Sequence, residues 1–107
     1  ASDFPVTVPA RAIDSLHFMV NRKKGGQIKT EALSPDECIS VEDGLRVLTW
    51  NGAYENRLEK QKGSIKTGKD ADFVLLNQDV LTCPKEELYK TKVLQTYVDG
   101  EIVSHIQ

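Results

Sequence analysis

The sequence predicts an α+β fold: two helices followed by a small, mainly antiparallel β unit. Apolar residues recur at helical spacing in the first half, at Ile13, Leu16, Met19 and Val20 and again at Val41, Leu45, Leu48 and Gly52. That period then gives way to an apolar run of strand length at 71–76. Finally, Asp99 and Gly100 separate a strand-like Val93–Val98 from a second at 101–106, and both residues accept the positive φ of a two-residue type I′ hairpin turn.

The first helix is expected to begin near Pro9, whose missing N–H costs nothing in a first turn, and to end within 21–24. Arg22, Lys23 and Lys24 then meet the negative end of the helix dipole, and Gly25 and Gly26 offer the left-handed conformation that closes a helix. Three cations without interleaved aromatics read as a solvated helix end, in preference to a phosphate or nucleic-acid patch. Residues 27–38 show no sustained period and are read as a loop with one turn. Ser40 is a good N-cap for a second helix over 41–54, with Glu42 and Asp43 in its first turn. Gly44 and Gly52 inside that helix each cost about 1 kcal/mol relative to alanine, which predicts another backbone packed close to them. Residues 62–69 are turn chemistry, and the 71–76 run is predicted to be buried on both faces. A turn at 77–79, one or two helical turns over 84–89 and the final hairpin complete the chain.

Composition narrows the function classes. With 107 residues the chain is one small domain at most; 39% hydrophobic and 28% charged residues with a net charge of −2 give no strong attraction to polyanions or lipid. Neither nucleic acid nor membrane is therefore expected as a partner. No run approaches the ~20 apolar residues of a membrane span, and a cytoplasmic location is expected. A start at Ala1 is read as a processed or trimmed chain. Cys38 and Cys83 form neither CxxC nor CxxH and are expected to be reduced thiols. His17 in the first helix and His105 in the last strand have no partner at metal-ligand spacing, so both are read as structural or surface histidines. Trp50 and Tyr54, four apart, are expected to pack in a core or interface. Gly68 and Lys69 are not a phosphate loop, because a strand follows them where a helix is required; Asp72 is expected to tie the start of that strand to neighbouring backbone N–H groups.

One combination of residues is more specific. The helix 40–54, SVEDGLRVLTWNGAY, carries T-x-N-x-A at Thr49, Asn51 and Ala53. It is followed by G-S-I at Gly63, Ser64 and Ile65, G-K at Gly68 and Lys69, A-D at Ala71 and Asp72, and V-D-G at Val98, Asp99 and Gly100. In order and spacing this resembles the C-terminal region of amidohydrolase-superfamily enzymes over essentially the whole chain. Ser2, Asp3, Phe4 and Pro5, with the stretch 78–88, are most similar to the branch of metal-dependent hydrolases that includes N-substituted formamide deformylases.

The resemblance implies a (β/α)8 barrel enzyme with an accessory β-sandwich built from both chain ends. Residues 1–60 would be the end of the last barrel strand and the helices after it, and residues 61–107 the C-terminal share of the sandwich. The remaining barrel and sandwich strands would lie in an N-terminal part of the same protein, which is this chain's implied partner. Asp3 is the implied catalytic residue and, in the intact enzyme, a ligand or orienter of a divalent metal, zinc by this resemblance. A carboxylate there would take a proton from activated water and return it to the leaving amine. The family's histidine ligands are expected elsewhere, so no cofactor is expected in this chain alone, which should be inactive. The implied activity is hydrolysis of a non-peptide carbon–nitrogen bond in a small amide or cyclic amide. The alternative is an autonomous β-rich binding module without catalysis. Left without its covering strands, the β unit is expected to expose an edge through which the chain could pair as a homodimer.

Overall fold

The computed structural model describes residues 11–27 and 29–105, apart from the side chain of His105. Helix α1 spans Ala12–Asn21, so its expected start at Pro9 lies outside the described residues. It closes at Arg22, whose φ of 52° is left-handed and whose N–H donates to Phe18 O at 2.7 Å. The expected closure by Gly25 and Gly26 is thus corrected by one turn. Tertiary contacts hold a non-glycine residue in that conformation: the Arg22 Nε donates to Leu33 O (2.9 Å), its guanidinium pairs with Glu37 at 3.3 Å, and it lies over the Phe18 ring. Gly25 serves a different purpose, because a Cβ there would stand 2.5 Å from Tyr89 Cβ.

After a single 3₁₀ turn at Pro35–Glu37, α2 runs Val41–Arg46 and α3 Gly52–Glu55, joined without a break by a π-helical segment, Val47–Asn51. The predicted cap is present: Ser40 Oγ accepts from Asp43 N at 3.0 Å. The π segment was not foreseen. Its cause is local, for the Thr49 hydroxyl donates at 2.7 Å to Leu45 O, the carbonyl that an α-turn would give to the Thr49 N–H. Gly44 faces the Leu16 side chain, 2.6 Å from where its Cβ would be, and not another backbone; around Gly52 nothing lies within 4 Å, so the expectation of a close backbone fails there.

The β unit is a three-stranded antiparallel sheet in the order β1 (Phe73–Leu76), β2 (Val93–Val98), β3 (Glu101–His105). Between β1 and β2 lies a 3₁₀ stretch, Lys85–Lys90. The hairpin is as predicted, with φ of 52° at Asp99 and 79° at Gly100. Phe73 pairs with Tyr97 across the sheet and their rings stack at 4.5 Å.

The core lies on the helical side. Leu16, Val20, Val41, Val80 and Leu88 are buried together, where α1 packs on α2 and on Lys85–Lys90. Leu76 at the end of β1 packs against it, but Phe73, Val74 and Leu75 are 37–49% exposed. Burial on both faces, read from the apolar run, is not met in this chain; β1 is instead an exposed edge strand of a three-stranded sheet, as expected of a β unit left without its covering strands.

Candidate functional site

The residue that the sequence singles out for chemistry, Asp3, lies outside the described residues, as does the side chain of His105. What the structure describes is the scaffold that follows Asp3. Among the described residues no group of three or more His, Cys, Asp or Glu side chains converges to hold a metal ion, so these residues do not by themselves fit the metal the sequence implies. Cys38 is exposed and Cys83 half-buried, both as free thiols. Burial, then nearby Asp79 and Glu87, push the Cys83 thiol up and away from the reactive thiolate.

The G-S-I, G-K and A-D positions form one knot. Lys62 Nζ reaches Asp70 at 2.8 Å and Asp72 at 2.5 Å. Lys69 Nζ caps two carbonyls, donating to Glu59 O and, at 3.0 Å, to Lys62 O. Asp72 Oδ1 accepts from Asp99 N and Ala71 O accepts from Gly100 N, both at 3.0 Å, so the hairpin turn is pinned to the start of β1. This is the role expected of Asp72. Hydrogen bonds from Lys62 and then from the Asp99 N–H hold the Asp72 carboxyl below the ordinary carboxylate range, and the hydrogen bonds that Lys62 donates to Asp70 and Asp72 hold its ammonium above the ordinary lysine range. An ammonium held charged and a carboxylate held ionised in mutual contact make poor proton carriers near neutral pH. The knot is a staple and has no catalytic character.

Gly63 joins this staple to the helices. Its φ is +83°, and a Cβ there would meet Ala53 Cβ at 2.7 Å, Trp50 Cα at 3.0 Å and Thr49 O at 3.2 Å. The G-S-I glycine is thus seated on the backbone of the T-x-N-x-A segment. Beside the contact opens an apolar groove of about 880 Å³ that includes Leu48, Ala53, Ile65, Phe73, Val74 and Val98 in its walls. Ile65 is 86% exposed. Trp50 and Tyr54 stack at 5.1 Å on the same helical stretch and stay exposed, so their expected packing partners are not among the described residues.

His17 is the one buried histidine described, at 4% exposure. It lies edge-on to Tyr89 (5.4 Å between ring centres) and lines a cleft of about 380 Å³ with Asn21, Lys23, Lys24, Cys38 and Glu86. The structural reading of His17 fits this burial. The pairing with Asn21, one helical turn on, was not anticipated, although a His and an Asn four apart on a helix end is a signal a sequence can carry. No helix among the described residues is long and apolar enough to cross a membrane.

Comparison with known proteins agrees with this pattern of motifs. Over 68 residues, 64% of this chain and 12% of the relative, it is 40% identical to an N-substituted formamide deformylase of Arthrobacter pascens. Over 102 residues, 95% of this chain and 19% of the relative, it is 28% identical to YtcJ of Bacillus subtilis (strain 168), a protein named as an amidohydrolase. The fold is similar to the crystal structure of an amidohydrolase from Thermotoga maritima MSB8, with a TM-score of 0.55 and 34% identity, covering 65% of this chain and 17% of that one. Matched to this extent, the chain spans less than a fifth of the length of each of these relatives. The family model described as the amidohydrolase family matches residues 1–104, and with that near-complete match the motifs have a single explanation: the chain belongs to the amidohydrolase family.

Proposed function

We propose that this chain is part of a longer cytoplasmic hydrolase that cleaves a non-peptide carbon–nitrogen bond in a small amide or cyclic amide, and that it is inactive alone. The observation that carries this reading is the family match together with a scaffold whose apolar groove and sheet face stand open. In this reading residues 1–60 end the last barrel strand and supply the helices behind it, and residues 61–107 are one share of a composite β-sandwich. The staple of Lys62, Asp70 and Asp72 ties the chain that follows the helices to the start of β1. A self-standing binding module is disfavoured, because such a module would cover Phe73, Val74 and Leu75 with its own chain.

Asp3 is the chain's contribution to chemistry in this proposal. Its carboxylate takes a proton from the attacking water and returns it to the leaving amine. A divalent metal, zinc in this reading, would be held chiefly by side chains outside this chain and, when bound, makes a water more acidic. The test is the turnover of the whole protein with Asp3→Asn, which keeps the shape and removes the base. Turnover is expected to fall by roughly 10²–10⁴-fold with an unchanged melting temperature. Turnover within a few-fold of the parent would remove Asp3 from the mechanism.

A further inference from the structure

The contact between α1 and Lys85–Lys90 is built around an imidazole whose surroundings disfavour its charged form. Asn21 Nδ2 donates to two backbone carbonyls, His17 O at 3.2 Å and Lys85 O at 2.8 Å. Carbonyls only accept, so these partners fix which end of the Asn21 amide is the NH₂. The same nitrogen sits 3.2 Å from His17 Nδ1; an amide NH₂ accepts no hydrogen bond, so a ring N–H pointed at it would be unpaired and the arrangement favours the lone pair on Nδ1 and the proton on Nε2. The other side of the ring meets the edge of Tyr89, which Gly25 in turn lets approach. A second proton would go to Nδ1 and set donor against donor at the contact with Asn21.

We propose that His17 is a proton-operated latch, in which protonation of its Nδ1 in mildly acidic solution releases the Lys85–Lys90 segment from the end of α1. The charged groups around it do not cancel the effect. Asp14 on α1 and Glu86 on the 3₁₀ segment favour the imidazolium, but burial outweighs both and holds the ring below its ordinary value of 6.5. Lys23 and Lys24, beyond the end of α1, line the same cleft and oppose a further cation, and among the described residues Cys38 on the approach to α2 and Tyr89 against the ring are further titratable neighbours. The released state is the one that binds the proton. The docked state is fully favoured above 6.5 and loses ground as the pH falls from there toward the lower docked value. Opening this contact would also widen the 380 Å³ cleft beside it and uncover Leu88 and Thr91, both buried in the docked form.

The experiment is a proton NMR titration of the His17 ring combined with hydrogen exchange at the Thr91 amide, which donates to Leu88 O at 3.0 Å. The ring is expected to titrate below 6.5. Thr91 protection, corrected for intrinsic exchange, should fall by up to about tenfold per pH unit below that point. In His17→Gln the protection should lose its pH dependence. In Asn21→Asp, with a carboxylate in place of the donor, the ring should titrate higher than in the parent. Titration at or above 6.5 in the parent chain overturns the proposal even if neither variant folds, and so does a Thr91 protection that stays constant across the range.

Discussion

Gly63→Ala is expected to lower the melting temperature by at least about 10 °C, given that 1 kcal/mol is worth roughly 4–8 °C in a domain of this size. Two costs add at this position. A φ of +83° strains any residue with a Cβ, and the new methyl would meet Ala53, the Trp50 Cα and the Thr49 carbonyl at 2.7–3.2 Å. Two of those neighbours are backbone, so rotating a side chain brings no relief, and together strain and overpacking should cost roughly 3–5 kcal/mol. Other glycines of the chain supply the controls. Gly68 has φ of +89° with nothing within 4 Å, so Gly68→Ala carries strain alone and should cost about 1 kcal/mol. Gly52 is helical, with φ of −61° and open space around it, and Gly52→Ala should stabilise by up to about 1 kcal/mol. Thermal melts of the three variants check the ranking; a Gly63→Ala melt no lower than that of Gly68→Ala would mean that the close approach is not maintained in solution.

Leu16→Ala should cost about 2–5 kcal/mol, the usual range for emptying a fully buried leucine site. Leu16 is 0% exposed and joins α1 to α2 and to Leu88 on the Lys85–Lys90 segment. Among the described residues the fully buried core is small, so the loss of one of its side chains weighs heavily. The coupling to Gly44 is the more telling measurement. A Cβ on Gly44 would stand 2.6 Å from Leu16 Cδ1, so Gly44→Ala alone should overpack the contact by about 1–3 kcal/mol. With Leu16 already cut to alanine, the same methyl enters vacated space. The double variant should therefore be more stable than the sum of the singles by about 1 kcal/mol or more, measured by denaturant unfolding. Strict additivity would show that α1 and α2 do not meet at this point.

What could be read from the sequence was chemistry contained within a few residues. The Ser40 cap needs only its own hydroxyl and the Asp43 N–H, and the Asp99–Gly100 turn needs only two tolerant residues between strands. Asp72 as a tie for backbone N–H groups also held, because G-K-x-A-D fixes the turn that brings it to Asp99. Features set by distant partners stayed hidden. Arg22 can close α1 in the left-handed conformation because Leu33 and Glu37 return to hold its side chain, and nothing in NRKKGG reports that. The 71–76 run is a further case: it reads as a covered strand, yet the described residues leave it exposed, so sequence pattern and observed exposure disagree. Gly44 and Gly52 read alike in the sequence, yet only Gly44 has a neighbour to explain it. Of the candidate site, the motif residues proved structural, and Asp3, the residue proposed for chemistry, lies outside the described residues.

The account turns on the claim that this chain brings a single carboxylate to a metal site whose other ligands lie elsewhere. Calorimetric titration of the 107-residue chain with zinc at neutral pH tests that claim directly. The described residues offer no converging ligand group, and one added carboxylate cannot complete a four-ligand set, so no stoichiometric binding tighter than about 1 μM is expected. Stoichiometric sub-micromolar binding that disappears in Asp3→Ala would contradict it, and would mean that the chain closes a metal site on its own.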